Sequence, residues 1–283
     1  MRKALALGAA VLCLLSAAGC ASRPKDAAEG AAATPLAFAG SSVDPVSLRL
    51  AGPYLGDRKT SLTGRTILVK SIGDIALKKG EVVLTFDDGP APKYTNAVLD
   101  ALDGQGVKAT FLMVGQMARA HPAMVRKVAA RGHTVGTHTQ NHANLAHASA
   151  DTASREIRQG QESVAAALVP MRAQPAPFFR FPYLSDTKAL RQNLASDGIV
   201  VIDADVDSKD YFVSSPDDVK SRTLARLDQR GSGIILFHDI HSRTAAMLPG
   251  FLAELRTRGY TVVNLVPAPS QRSLQRLLTG AGS

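Results

Sequence analysis

Thr85-Phe86-Asp87-Asp88-Gly89-Pro90 closes an apolar run that begins at Val82. The run has the character of a strand, and Gly-Pro marks a turn after it. Two adjacent carboxylates therefore stand where a strand breaks into a loop. Further along, His138-Thr139-Gln140-Asn141-His142 supplies two imidazoles at i, i+4 spacing, which share a face if the segment is helical. Each run alone has a plain structural explanation, since Asp caps turns and paired histidines commonly sit on surfaces. Together they offer two nitrogens and one oxygen to a divalent cation and leave one carboxylate to act as a base on water. Two His and one carboxylate with an open fourth position is the donor set of a hydrolytic zinc site. Neighbouring strand residues face opposite ways, so one Asp can ligate while the other does not. The residues leave open which. His133 and His147 flank the pair, so the histidine-rich stretch also offers false candidates.

Outward from these runs the pattern is regular. Strand-like segments fall at 82–86, 110–114, 134–137, 177–181, 199–204, 233–237 and 260–265, with a further short one at 66–69. Helical periodicity covers 116–130, 151–169 and 217–230, and a last helix runs through Phe251, Leu252 and Leu255 with Pro249-Gly250 interrupting its first half. Such alternation predicts an α/β fold of parallel strands joined by right-handed crossovers. About seven strands fit a distorted (β/α) barrel or a strongly curved sheet. An open doubly wound sheet is the competitor, but no Gly-x-Gly-x-x-Gly follows any strand.

Polar residues recur just after these strands: Asp87 and Asp88, His138, Arg180 with Tyr183, Asp207 with Asp210, and His238. In a parallel barrel all such strand ends meet on one face. Arg180-Phe181-Pro182-Tyr183 would place a guanidinium beside a carboxylate base and lower its pKa. Leu236-Phe237-His238 should bring an imidazole out of the core, suited to a general acid. Asp207 and Asp210 are both available to fix its tautomer. Each has a rival structural role as a surface ion pair or a buried histidine.

The 283 residues carry 45% hydrophobic and 20% charged side chains, which is ordinary for a globular chain. The net charge of +9 favours anionic surroundings. No Lys/Arg-rich run with interleaved aromatics points to nucleic acid. Residues 1–19 read as a lipoprotein-type signal peptide: Arg2 and Lys3 precede an apolar stretch too short to span a bilayer, ending in Ser16-Ala17-Ala18-Gly19 before Cys20. Cys20 would then be lipid-modified and exported to the cell envelope, with ordinary signal-peptidase cleavage as the competing outcome. Residues 20–35 read as a flexible tether, 36–80 as an extension of unclear structure, 81–266 as the main domain and 267–283 as a tail. Cys13 and Cys20 are the only cysteines, so any metal in the folded body must be held by His, Asp or Glu.

These five ordered motifs resemble those of the NodB-homology polysaccharide deacetylases, carbohydrate esterase family 4, over roughly residues 81–266. The resemblance implies a distorted (β/α) barrel, and a divalent metal, most often Zn with Co or Ni as alternatives, bound by Asp88, His138 and His142. It implies Asp87 as general base tethered by Arg180, the main-chain N–H of Tyr183 at the oxyanion, and His238 as general acid supported by Asp210. Tyr211 stands where the family usually has Trp, and Leu184 where Gly is frequent. With Leu236 and Tyr211 at the substrate, and Phe179, Phe181 and Phe212 as further apolar wall, the expected activity is removal of N-acetyl groups from a GlcNAc-containing envelope polysaccharide. An O-acetyl esterase and a non-catalytic glycan-binding lipoprotein are the alternatives.

Overall fold

Strand β2 (Glu81–Asp87) is buried at every position and sets the two sides of the fold. Val82, Leu84 and Phe86 pack beneath the helices, whereas Val83 joins Leu112, Phe178, Ile202, Ile234 and Val263 on the opposite face. By the same alternation Thr85 and Asp87 face with Val83. The computed structural model describes residues 61–269. The signal peptide, Cys20, the tether, the first part of the extension and the end of the tail lie outside the described residues.

One edge of β2 pairs with β8 (Gly233–His238), from Val82 opposite Gly233 to Asp87 opposite His238. Its other edge pairs first with β9 (Thr261–Pro267) and then, from Thr85 to Asp87, with β3 (Thr110–Met113). From β3 the sheet continues through β4 (Thr134–Thr137), β5 (Phe178–Phe179) and β6 (Val200–Val201). β7 (Val206–Asp207) extends it from β8, and β1 (Thr63–Val69) from β9. Every pairing is parallel. No pairing joins β6 to β7 among the described residues. The barrel is left open there, which is its distortion.

The described sheet has nine strands rather than about seven. β7 is two residues long, as β5 and β6 are, but its Val206 stands alone between Asp205 and Asp207, with no apolar run around it. β1 takes in the short strand expected at 66–69, which pairs with β9. Only Ile67 and Val69 of β1 are buried, as befits an edge, and its signal is correspondingly weak. Arg65 clasps both carboxylate oxygens of Glu81, at 2.8 and 2.9 Å, and ties β1 to the start of β2.

Two helices escaped the sequence reading. α1 (Pro92–Gly104) buries Thr95, Val98, Leu99 and Leu102 at helical spacing behind an N-terminal proline. α5 (Lys188–Ser196) begins at a Thr187 cap. The helix expected at 116–130 is two, α2 (Gly115–Ala120) and α3 (Pro122–Ala130). Pro122 lacks an N–H and pushes His121 out of helical geometry. α4 (Ala150–Leu168) and α6 (Pro216–Arg230) follow expectation, the latter opened by a Ser215–Asp218 capping box. α7 (Ser242–Thr257) runs through Pro249 without a break. An internal proline costs about 3 kcal/mol. Burying Met247, Leu248, Phe251, Leu252 and Leu255 offsets it at roughly 1.5–3 kcal/mol each.

Beneath the helices, Phe86 stacks on Phe111 at 5.1 Å and on Phe237 at 5.8 Å, one ring from each of three adjacent strands. These strands share a register, so the ring ladder levels their C-terminal ends. Asp87 and His238 emerge side by side from it.

Candidate active site

β2, β4 and β8 deliver their polar residues to one cleft. His138 and His142 do not share a helix face, contrary to the helical option. His138 follows β4, and the chain then loops with Thr139 and His142 both in left-handed backbone. The loop lies against α4: a side chain at Gly160 would collide with the Thr139 carbonyl, and Glu156 accepts from the Asn141 main chain and side chain at 2.8 and 2.7 Å. Glu156 and Gly160 thus shape the loop, and neither stood out in the sequence because both read as ordinary helix positions.

Asp88 also has left-handed backbone, at φ 73°. That turn separates it from Asp87 and answers which carboxylate faces the imidazoles. Asp88 Oδ1 lies 3.5 Å from His138 Nε2 and 3.3 Å from His142 Nε2. It is buried with no hydrogen-bond donor. His138 Nδ1 lies 2.7 Å from the Arg180 carbonyl. A carbonyl only accepts, so Nδ1 carries the proton and the Nε2 lone pair faces Asp88. Burial pushes the His138 pKa down to about 3, which keeps the ring neutral. An orphaned carboxylate oxygen among imidazole nitrogens, all three donor atoms within 4.8 Å, fits a divalent cation.

Asp87 lies beside this cluster, its Oδ2 3.9 Å from His138 Nε2. Arg180, 1% exposed, reaches Asp87 Oδ1 and Thr85 Oγ1 at 2.8 Å each through one nitrogen. Its other nitrogens donate to the Ile202 and Asp203 carbonyls. Burial dominates the Asp87 pKa and the net direction is up, although Arg180 acts on it in the expected direction, downward, and His238 does the same. A fully enclosed carboxylate loses more from water than these cations return.

On the other side, His238 Nδ1 is 2.6 Å from Asp210 Oδ1, and its main-chain N donates to Asp210 Oδ2 at 2.8 Å. Thr244 donates to the same oxygen at 2.6 Å. Asp210 therefore contacts the imidazole, whereas Asp207 accepts from the Tyr211 hydroxyl at 2.8 Å. Burial opposes charge on His238, but Asp210 outweighs it and lifts the pKa to about 9. Burial likewise acts against the Asp210 anion, and the His238 and Thr244 bonds reverse it, so its pKa falls. His238 Nε2 points across to Asp88 Oδ2 at 3.9 Å.

The cleft encloses about 340 Å³ and is lined by the Asp and His residues above with Phe181, Tyr183, Leu184, Asp207, Tyr211 and Leu236. Arg180 and Asp210 stand one layer behind. Phe179 does not reach it: it is buried edge-on against Phe181 beneath α4 and α5. Phe212 lies outside with its ring 4.7 Å from Tyr211. Thr85 and Thr244 were not foreseen as supports, because a lone buried threonine leaves no mark on a sequence pattern.

A sequence model described as polysaccharide deacetylase matches residues 74–202. The peptidoglycan-N-acetylglucosamine deacetylase of Bacillus cereus is 32% identical over 206 residues, which is 70% of this chain and 71% of that protein. The deacetylase PgdA of Listeria monocytogenes, also named for peptidoglycan N-acetylglucosamine, is 32% identical over 186 residues, 65% of this chain. The chain spans only 38% of that relative's length. A solved peptidoglycan deacetylase from Bdellovibrio bacteriovorus superposes with a TM-score of 0.63 at 35% identity, over 74% of this chain and 57% of the other. Barrel and cleft thus define a polysaccharide deacetylase fold, and the chain belongs to the polysaccharide deacetylase family. Asp207, Asp210, Tyr211, Leu236 and His238 lie beyond the segment that the sequence model matches.

Proposed function

We propose that the chain is a metal-dependent hydrolase that removes N-acetyl groups from a GlcNAc-containing polysaccharide of the cell envelope, peptidoglycan or a related glycan, releasing acetate. One observation carries the reading. A carboxylate held by Arg180 and an imidazole held by Asp210 flank the Asp88, His138 and His142 cluster, each within 3.9 Å of one of its members. A base and an acid on either side of a cation site is the equipment of amide hydrolysis. A pure binder has no need of both.

Zn²⁺ is the metal proposed, since two imidazoles and one carboxylate suit a borderline cation, and Co²⁺ or Ni²⁺ could take its place. When bound, the cation supplies a Lewis acid for the acetyl carbonyl and lowers the pKa of water toward about 7. Asp87 accepts the proton as the water oxygen forms its bond to the carbonyl carbon. Arg180 keeps that carboxylate aimed while it gains the proton. The main-chain N–H of Tyr183 donates to the oxygen that becomes negative. Tyr211 and Leu236 supply apolar wall for the acetyl methyl. His238, its Nδ1 held by Asp210, delivers the Nε2 proton to the amine nitrogen as the C–N bond breaks. An imidazole with pKa near 9 is protonated at neutral pH, which suits an amine that cannot leave as an anion.

The relatives' names support peptidoglycan as the polymer. The leader supports export with Cys20 lipid-modified at the membrane, and a Cys20→Ser chain should then leave the membrane fraction. Product analysis over N-acetylated oligosaccharides, peptidoglycan and O-acetylated xylan tests the activity. Acetate with an equal amount of new amine is expected. Acetate from xylan with no amine from any glycan means an esterase, and no acetate from any means a binder.

A further inference from the structure

Gly89 follows Asp88, yet it does not adopt left-handed backbone. Its lack of a side chain answers a different constraint. A Cβ at position 89 would fall inside contact distance of both carboxylate oxygens of Asp239. Asp239 is 1% exposed and takes no part in the chemistry above. Its Oδ2 accepts from the Thr95 hydroxyl at 2.5 Å, and Thr95 Oγ1 in turn accepts from Ala91 N at 2.8 Å. Its Oδ1 is buried with no hydrogen-bond donor. The Gly89 carbonyl is held from the other side by Val114 N at 3.2 Å. Asp88, at φ 73°, is a non-glycine residue in a strained conformation, and such residues persist only where their surroundings hold them.

We propose that Asp239 is a positioning residue for Asp88. Its carboxylate fills the space a side chain at 89 would take, and together with Thr95 it grips the turn from 88 to 91 so that Asp88 aims at His138 and His142. Because Asp239 directly follows His238, the same carboxylate ties the cation-binding turn to the strand end that carries the proton donor. This rests on Asp88 being a metal ligand.

The test is Zn²⁺ affinity of the full chain, by competition with a chromophoric chelator, in variants shown by circular dichroism to be folded. Gly89→Ala and Asp239→Ala are each expected to weaken binding by about tenfold or more. In the Asp239→Ala background the obstruction is gone, so Gly89→Ala should add less than about a twofold loss. In the Asp239→Asn background the shape is kept, so Gly89→Ala should again weaken binding by about tenfold. If Asp239→Ala does not fold, Asp239→Ser takes its place with the same expectation. Parent affinity in the Asp239→Ala chain, or an equal Gly89→Ala loss in all backgrounds, overturns the proposal. A parent chain that takes up no metal would instead sink the reading of the site.

Discussion

Asp210 holds His238 at two points, with Oδ1 2.6 Å from the ring Nδ1 and Oδ2 2.8 Å from the main-chain N. The imidazole is therefore fixed in tautomer and in position, with Nε2 left to face the cleft. Asp210→Asn keeps the shape but removes the negative charge that holds the ring protonated at both nitrogens, so His238 becomes a neutral and much weaker acid. The turnover number should fall by roughly 10²–10⁴ while bound metal is unchanged. A loss of metal in step with activity would mean that Asp210 supports the cation site instead.

Arg180 bridges four acceptors from inside the barrel, and a lysine ammonium cannot span them. Arg180→Lys should lower stability by roughly 1–3 kcal/mol, since buried carbonyls lose their donors. It should also cut turnover at least tenfold as Asp87 loses its aim. Denaturant unfolding and steady-state rates on the same preparation check both. Full activity in Arg180→Lys would show that charge alone suffices.

Asp87 should separate cleanly from Asp88 and the two histidines. Asp87→Asn is expected to abolish turnover with metal still bound, because Asp87 stands beside the cluster and not within it. His138→Ala should lose the metal itself. Metal content measured on both purified variants decides, and the reverse pattern would exchange the roles.

His133, though near the site in sequence, is a core residue that accepts from Ala109 N at 3.2 Å and meets the Phe111 ring at 5.4 Å. Burial, with Lys108 adding to it, pushes its pKa down to about 4. The unfolded ring titrates near 6.5. Stability from this group is complete above pH 6.5 and fades as the pH falls toward 4, where the unfolded chain holds a proton that the fold refuses. Between those limits the parent should lose roughly 3 kcal/mol more than His133→Gln. Parallel unfolding curves would show that the ring is charged at no penalty.

Much of this was legible because chemistry and punctuation coincide. Asp87-Asp88-Gly89-Pro90 and His238 sit where apolar runs end, so their meeting follows from the parallel barrel once the strands are recognised. What escaped notice depends on contacts that no period encodes. β7 offers a single apolar residue, Val206, between two aspartates, and β1 buries only alternate residues at an edge. The His138–His142 loop turns on left-handed residues whose sequence gives no glycine to announce them. α1 is a different case: its buried positions follow helical spacing and were available to the eye. At Asp87 the burial that outweighs all else in the pKa was not legible, because spacing does not supply depth, but the downward pull of Arg180 was.

The most direct measurement is a titration of chelator-stripped protein with Zn²⁺, following bound metal and acetate release from an N-acetylglucosamine oligosaccharide together. Activity should rise from nothing and level off at one ion per chain, and His138→Ala should show neither uptake nor release. Undiminished acetate release from the stripped chain would contradict the account at its centre.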